Sequence, residues 1–362
     1  MRPFKQFSSV ESYSRFINSP APRTLSHTFI LKFLYYISLL YRWWMKRNDQ
    51  KVKTIDALIP IVSVGNIMVG GTGKTPFVML LLSHLMHEKM SVISTGYRGK
   101  KVSKNKVEKI HLSAGGGKCF FGDEPYLIKS NFPSAHVYVC KDRQKAVEQA
   151  AHDGCCLAIF DDGFQYHKTK KNIDIVMMNA HNLCGNGYLL PRGFLREELS
   201  SLVRANYIVI RYRKDSQEFE KAVKTLSPFT KAHMMGCIWQ PQGFKGQAKL
   251  TIEAIKNKKI GAFCGIGYPS QFLELLEACQ VVIVNQCVLN DHDLFNEKAL
   301  ERFIKDSLES GAEYILCTQK DFIKLDSAKK RKLPILYLDA ELKITENMDI
   351  FQNLCARLKA FA

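Results

Sequence analysis

The feature that most constrains this chain is the segment Ile59–Glu88, IPIVSVGNIMVGGTGKTPFVMLLLSHLMHE. An apolar run enters a glycine-rich turn, and the turn enters an apolar helix that opens at Lys74. Strand, glycine-rich turn, Gly-Lys-Thr and helix in that order form a P-loop. Such a loop needs a parallel sheet, because the phosphate sits beyond the carboxyl end of the strand and at the amino end of the helix. Gly70, Gly71 and Gly73 let the backbone curl so that successive N–H groups point inward at phosphate oxygens. Met68, Val69 and Thr72 complete the loop, Lys74 reaches the β- and γ-phosphates, and the Thr75 hydroxyl is placed to ligate Mg2+. Pro76 falls in the first helical turn, where a missing N–H costs little. Met68 stands where the general pattern has its first glycine.

A second segment answers the first. CLAIFDDGFQ, Cys156–Gln165, is an apolar run that ends in two aspartates. A Walker B strand presents a carboxylate to magnesium in this way, so Asp161 or Asp162 is expected to hold Mg2+ directly or through water. Without the P-loop, the same pair reads equally well as capping a turn. Short apolar runs alternating with helical stretches predict an α/β fold with a parallel sheet covered by helices. Strands are expected at 60–64, 91–95, 136–140, 157–161, 173–178 and 207–210. A second series is expected near 260–264, 281–284, 314–317 and 335–338. The stretch Gln240–Lys249, rich in Gly, Gln and Lys, reads as the loop between two domains, 55–239 and 240–362.

The 52 Lys and Arg against 34 Asp and Glu give a formal charge of +18, which fits an anionic partner. The basic runs at 98–109, 168–171, 256–259 and 329–332 read as solvated loops, and no helicase or RNA-binding signature accompanies them, so nucleic acid is not expected. The cysteines, 11 in number, show neither a disulfide framework nor zinc spacing, which fits a reducing compartment. Residues 1–54 form a separate region. The first 25 residues are polar and lack the pattern of a secretory signal. From Phe29 to Arg47 the chain reads FILKFLYYISLLYRWWMKR, with its uninterrupted apolar run, Phe33 to Tyr41, too short to span a bilayer. Trp43 and Trp44 beside Arg42, Lys46 and Arg47 suit a headgroup layer, so an interfacial helix is expected, with a buried packing helix as the alternative.

These motifs together resemble the tetraacyldisaccharide 4'-kinase family of lipid A assembly. Gly65, Asn66, Val69 to Pro76 and Asp161 to Gln165 match the family's extended loop and its DDG-x-Q. The match continues through STGYRG (Ser94–Gly99), GDEP (Gly122–Pro125), KDR (Lys141–Arg143), GNGYLLPRGFLRE (Gly185–Glu197), GIGYP (Gly265–Pro269) and DH (Asp291–His292). The long loop-like block Gly185–Glu197 is not shared by P-loop enzymes in general. Thr95 and Gln319 depart from the family pattern. The GIGYP block lacks the third glycine of a dinucleotide loop, and in TQKD the lysine and aspartate are adjacent, unlike the guanine-reading tetrad of GTPases.

The resemblance implies a P-loop kinase with a second, smaller α/β domain and an N-terminal membrane-interface helix. It implies transfer of the γ-phosphate of ATP, with Mg2+, to the 4'-hydroxyl of a tetraacyldisaccharide 1-phosphate, peripherally at the cytoplasmic face of a Gram-negative inner membrane. It also implies Asp123 as the base that takes the hydroxyl proton, with His292 orienting Asp123 after the domains close. Arg143 and Arg196 are candidates for anionic groups, since guanidinium forks match phosphate oxygens. Tyr97, Glu124, Gln165, Asn186 and Glu197 lie in family blocks and are candidate substrate contacts. The alternative is a P-loop kinase or ATPase acting on a soluble metabolite.

Overall fold

The structure, a computed structural model, describes residues 17, 25–51, 53–85, 89–96, 99, 106–112, 121–213, 215–289, 297–325 and 333–361. The chain forms two compact units, one comprising 17–238 with 342–362 and the other containing 239–341.

The larger unit begins with helix α1 (Leu25–Lys51), 27 residues long. Next come β1 (Ile61–Gly65), α2 (Lys74–Leu85), β2 (Met90–Ser94), β3 (Glu108–Lys109), α3 (Asp123–Asn131), β4 (His136–Val139) and α4 (Arg143–His152). They are followed by β5 (Leu157–Asp161), β6 (Ile173–Asn179), β7 (Tyr207–Arg211), α5 (Ser216–Leu226) and β8 (His233–Gly246). Its strands lie in the order β8-β7-β6-β1-β5-β2-β4-β3. All neighbours are parallel except β3 on β4. Strand β1 is flanked on both sides, with Val64 opposite Asp161 and Gly65 opposite Val176, so the P-loop strand and the Walker B strand end side by side. β1, β2 and β5 are buried along their whole length, as expected for a parallel sheet covered on both faces. Side-chain caps start the surrounding helices: Asp142 accepts from the Gln144 N–H ahead of α4, and Asp215 from the Gln217 N–H ahead of α5.

The smaller unit continues with β9 (Lys249–Leu250), α6 (Ile252–Ile255), β10 (Lys259–Cys264), α7 (Pro269–Ala278), β11 (Val282–Val288), α8 (Glu297–Glu309), β12 (Tyr314–Thr318), α9 (Gln319–Lys324) and β13 (Ile335–Glu346). Its parallel order is β11-β10-β12-β13. Phe263, Phe303, Ile304 and Ile315 build a core on one side, and Phe272, Leu276 and Leu316 on the other.

Three expectations need correction. The segment 240–249 is not a structureless loop, because β8 runs through it to Gly246 and pairs with β9, Phe244 opposite Leu250. Phe244 is fully buried, an apolar anchor concealed in the sequence by the Pro, Gln and Gly around it. Residues 342–362, assigned by sequence to the C-terminal domain, belong to the larger unit. There helix α10 (Met348–Lys359) packs on α2 through an edge contact of Phe351 with Phe77, ring centroids 6.3 Å apart. Finally, Lys171 is not part of a solvated loop, since its side chain is only 5% exposed and pairs with Asp174 at 2.8 Å.

Helix α1 has two opposite faces. At about 100° per residue, Leu31, Leu34 and Ser38 share the buried side. Phe29, Phe33, Tyr36, Leu40, Trp43 and Trp44 share the other side and are exposed. No helix among the described residues is long and apolar enough to cross a membrane.

Candidate active site

The site forms where β1 and β5 end. Beyond Gly65 the chain does not turn at once. Met68 bridges Leu195 antiparallel, and the Val69 N–H donates to the Phe194 carbonyl at 2.9 Å. Met68 is therefore 3% exposed and fixed by backbone pairing, which is why no glycine is needed there. The curl itself falls on Gly70 and Gly73, with φ of 116° and 94°, values that side chains rarely adopt. The Thr72 N–H closes the turn onto the Gly70 carbonyl at 3.0 Å, and Asn66, fully buried, donates to the Thr72 hydroxyl at 2.9 Å. Gly71 is exposed, and the Phe77 N–H bonds to the Gly73 carbonyl, starting α2.

Both aspartates of DDG meet this loop, each in a different way. The Thr75 hydroxyl donates to Asp161 Oδ2 at 3.0 Å. Asp161 Oδ1 is buried and has no hydrogen-bond partner among the described residues. Burial, joined by the neighbouring Asp162 charge, pushes the Asp161 carboxyl up to about 7, and the charge of Glu124 on α3 adds to this. Asp162 faces cations instead. Lys74 Nζ lies 3.4 Å from Oδ1, and Arg196 Nη1 lies 3.0 Å from both oxygens. Burial works against its ionisation, but Lys74 and Arg196 outweigh that and bring it down to about 2.

The turn that presents this pair is held from behind. Asp162 adopts φ 59°, a left-handed conformation that Asp tolerates better than most residues. At Gly163 a Cβ would sit 2.6 Å from Phe160 Cβ and 2.8 Å from Ser63 Oγ, so only glycine fits. Arg143 is 3% exposed and donates Nη2 to the carbonyls of Asp161 and Asp162 at 3.0 and 2.7 Å, with its guanidinium near the rings of Phe160 and Tyr166. Its described hydrogen bonds hold the turn from behind. Lys171 donates to the Phe164 carbonyl at 3.1 Å, and Arg204 lies over the Phe164 ring at 4.5 Å.

The remaining candidates divide. Gln165 donates to the Asn66 carbonyl at 2.7 Å, tying the DDG-x-Q turn to the P-loop. Asp123 and Glu124 open α3 after Gly122, whose φ of 95° lets the chain turn into the helix, and both are half-buried. Asn186 serves its own loop, donating to the Arg192 carbonyl and accepting from the Tyr188 N–H. Glu197 is buried and accepts from Arg204 at 2.5 Å, so its described contact is with a turn-holding arginine. Tyr97 and His292 lie outside the described residues. Sequence reasoning missed Lys171, Arg204 and Arg211. Arg211 is 5% exposed, with Cδ 3.9 Å from where a Gly73 Cβ would stand. The available signal was an arginine closing the otherwise apolar strand YIVIR.

The arrangement fits a nucleotide with magnesium. The glycine curl opens a helix, a lysine and an arginine converge on Asp162, and a buried carboxylate oxygen of Asp161 stands unpaired beside a hydroxyl.

Comparison with known proteins agrees with this site. Residues 30–359 match the family model described as tetraacyldisaccharide-1-P 4'-kinase. The chain is 33% identical over 282 residues to the tetraacyldisaccharide 4'-kinase of Chlamydia trachomatis, covering 76% of this chain and 74% of that one. It is 32% identical over 359 residues to the tetraacyldisaccharide 4'-kinase of Syntrophus aciditrophicus, covering 92% and 94%. Its structure is similar to the crystal structure of LpxK from Aquifex aeolicus in complex with ATP, with TM-score 0.71 and 26% identity, covering 91% of this chain and 99% of that one.

Proposed function

This chain belongs to the tetraacyldisaccharide-1-P 4'-kinase family, and from that premise we propose the division of labour within its site. The enzyme transfers the γ-phosphate of ATP to the 4'-hydroxyl of a tetraacyldisaccharide 1-phosphate, the lipid A precursor. A soluble-metabolite kinase is not favoured by any of the relatives.

The P-loop amides and Lys74 hold the triphosphate tail. Thr75 and Asp161 would hold the metal, which would supply charge neutralisation at the transferring phosphates. Asp162 keeps Lys74 and Arg196 extended toward the phosphate position before the nucleotide arrives, so little reorganisation is needed when charge develops on the transferring group. Arg143, Lys171 and Arg204 fix the turn that carries both aspartates. Asp123, in the first turn of α3, takes the proton of the attacking hydroxyl. The observation that carries this reading is the asymmetry of the aspartate pair: Asp161 beside Thr75 with a buried unpaired oxygen, Asp162 between two cations.

The exposed face of α1 supports a peripheral seat on the cytoplasmic face of the inner membrane, where the acylated substrate is embedded. Phe29, Tyr36 and Leu40 are 65–73% exposed, and Arg47 lies over the Trp43 ring at 5.3 Å. Rings and cations of this kind suit a headgroup layer.

The test is incubation of the purified protein with γ-labelled ATP, Mg2+ and a detergent-dispersed tetraacyl glucosamine disaccharide 1-phosphate. Label is expected in the lipid at the 4' position and is expected to vanish without divalent cation. Label released only as inorganic phosphate would overturn the assignment.

A further inference from the structure

The loop that delivers Arg196 is gripped from two sides. On one side is the P-loop. The Arg196 N–H donates to the Ile67 carbonyl at 2.7 Å, and the Val69 N–H donates to the Phe194 carbonyl. On the other side is α1. Ser38, 4% exposed, lies within 2.9 Å of both the Leu34 and the Leu189 carbonyls and accepts from the Arg192 N–H at 3.0 Å. The Leu34 contact is the ordinary back-bond of a helical serine. The other two join residues more than 150 positions apart. Nearly one turn further along the same face, the Tyr41 hydroxyl donates to the Arg196 carbonyl at 3.2 Å. Arg42 pairs with Glu198 at 2.8 Å, and Tyr35 meets Tyr188 edge-on at 5.8 Å.

Between these grips the loop bonds to itself, Leu190 N–H to Leu195 carbonyl and Gly193 N–H to Leu189 carbonyl, each at 2.9 Å. At Gly193 a Cβ would collide with the Tyr188 carbonyl, so the turn is packed tightly. A shift at Leu189 or Arg192 therefore passes to Arg196, whose guanidinium reaches both Asp162 oxygens.

We infer that Ser38 and Tyr41 are positioning residues for the phosphoryl-transfer site: their hydroxyls lock the 189–196 turn onto α1 and so set where the Arg196 guanidinium stands. This rests on the role given above to Asp162 and Arg196. It assigns α1 a second task beyond presenting its exposed aromatic face, because the helix face that carries the hydroxyls is the opposite one.

The experiment measures kcat and KM for ATP with the dispersed lipid acceptor, together with sedimentation on anionic phospholipid vesicles, for Ser38→Ala, Tyr41→Phe, the double variant, Ser38→Thr and Arg196→Ala. Arg196→Ala is expected to lose about a hundredfold in kcat. The double variant is expected to lose about tenfold in kcat, with KM for ATP within about twofold and vesicle binding equal to the parent. Tyr41→Phe alone, which removes one oxygen and leaves the packing intact, is expected to lose about threefold, and Ser38→Thr, which keeps the hydroxyl, is expected to recover most of the Ser38→Ala loss. If Arg196→Ala collapses turnover while the double variant and Tyr41→Phe match the parent, the inference fails and the site reading stands. If Arg196→Ala itself keeps the parent kcat, both fail. A loss in the double variant that tracks lost vesicle binding also overturns the inference, since α1 would then act only as an anchor.

Discussion

Asp161 in the larger unit and Asp321 in the smaller are alike in placement and opposite in state. Each is nearly or fully buried and each lies at the carboxyl end of an internal strand of a parallel sheet, Asp161 as the last residue of β5 and Asp321 three residues beyond β12; each adjoins a glycine-containing turn. Asp321 is saturated. Its Oδ2 accepts from the Gly265 N–H at 2.9 Å and the Thr318 hydroxyl at 2.7 Å, and Lys324 approaches Oδ1 at 3.4 Å. Asp161 has Thr75 on one oxygen and nothing among the described residues on the other. A buried carboxylate closed by protein donors acts as a latch, here joining the GIGYP and TQKD segments. One left open beside a second carboxylate is destabilised in its charged form, and in the proposed site a cation would relieve that.

The sharpest challenge to this contrast comes from a carboxylate of neither kind. Asp123 is half-buried at a helix start, and in the proton-accepting role proposed above its replacement by Ala should lower turnover by about 10² to 10⁴ while ATP affinity, read by calorimetry, changes little. Unchanged turnover would remove it from that role. Asp161→Asn comes next. It should cost about 10² to 10³ in kcat, yet leave the melting temperature of the ligand-free protein level or higher, because a buried carboxyl whose charged form is disfavoured by burial and by Asp162 has been replaced by a neutral amide. A fall in melting temperature would mean that Asp161 is structural after all.

That a nucleotide site exists was legible because its parts are local. Glycine spacing, Lys74 and Thr75 lie within one turn, and Asp161 and Asp162 follow an apolar run that is recognisable alone. Which aspartate faces the threonine and which faces the cations was not legible, since it depends on the left-handed φ of Asp162 and on Arg196, 34 residues away. The turn-holding contacts of Arg143 were hidden for a related reason: its charge suggests an anion, whereas its described partners are two backbone carbonyls and two rings. Most strands followed from apolar alternation, but β8 did not, because Trp239–Gly246 carries its burial on few residues and is interrupted by a proline and two glycines. Ser38, Tyr41, Lys171 and Arg204 are ordinary in sequence, and their roles appear only through distant partners.

The saturated side of the comparison makes its own demand. Asp321→Ala removes the acceptor of three donors and leaves Lys324, 11% exposed, without this carboxylate. The expected cost is about 3 to 5 kcal/mol in unfolding free energy by denaturant titration, far above the change at Asp161. An equal change at both positions would erase the distinction between latch and open carboxylate.

The smallest effect sharpens the comparison by pH. Asp153 is a saturated carboxylate nearer the surface, accepting from Lys109 at 2.7 Å, the Tyr138 hydroxyl at 2.7 Å and Gln149 at 2.8 Å. The Lys109 hydrogen bond, then those from Tyr138 and Gln149, hold its carboxyl far below the usual carboxylate range. With the folded value depressed, its contribution is complete above the unfolded value of about 3.9 and declines as the pH falls below it. Asp153→Asn should therefore cost about 1 kcal/mol at neutral pH, and the gap between variant and parent should narrow steadily in urea titrations carried from pH 5 down toward about pH 3. A gap that stays constant over that range would show that the three donors hold the amide as well as they hold the charge.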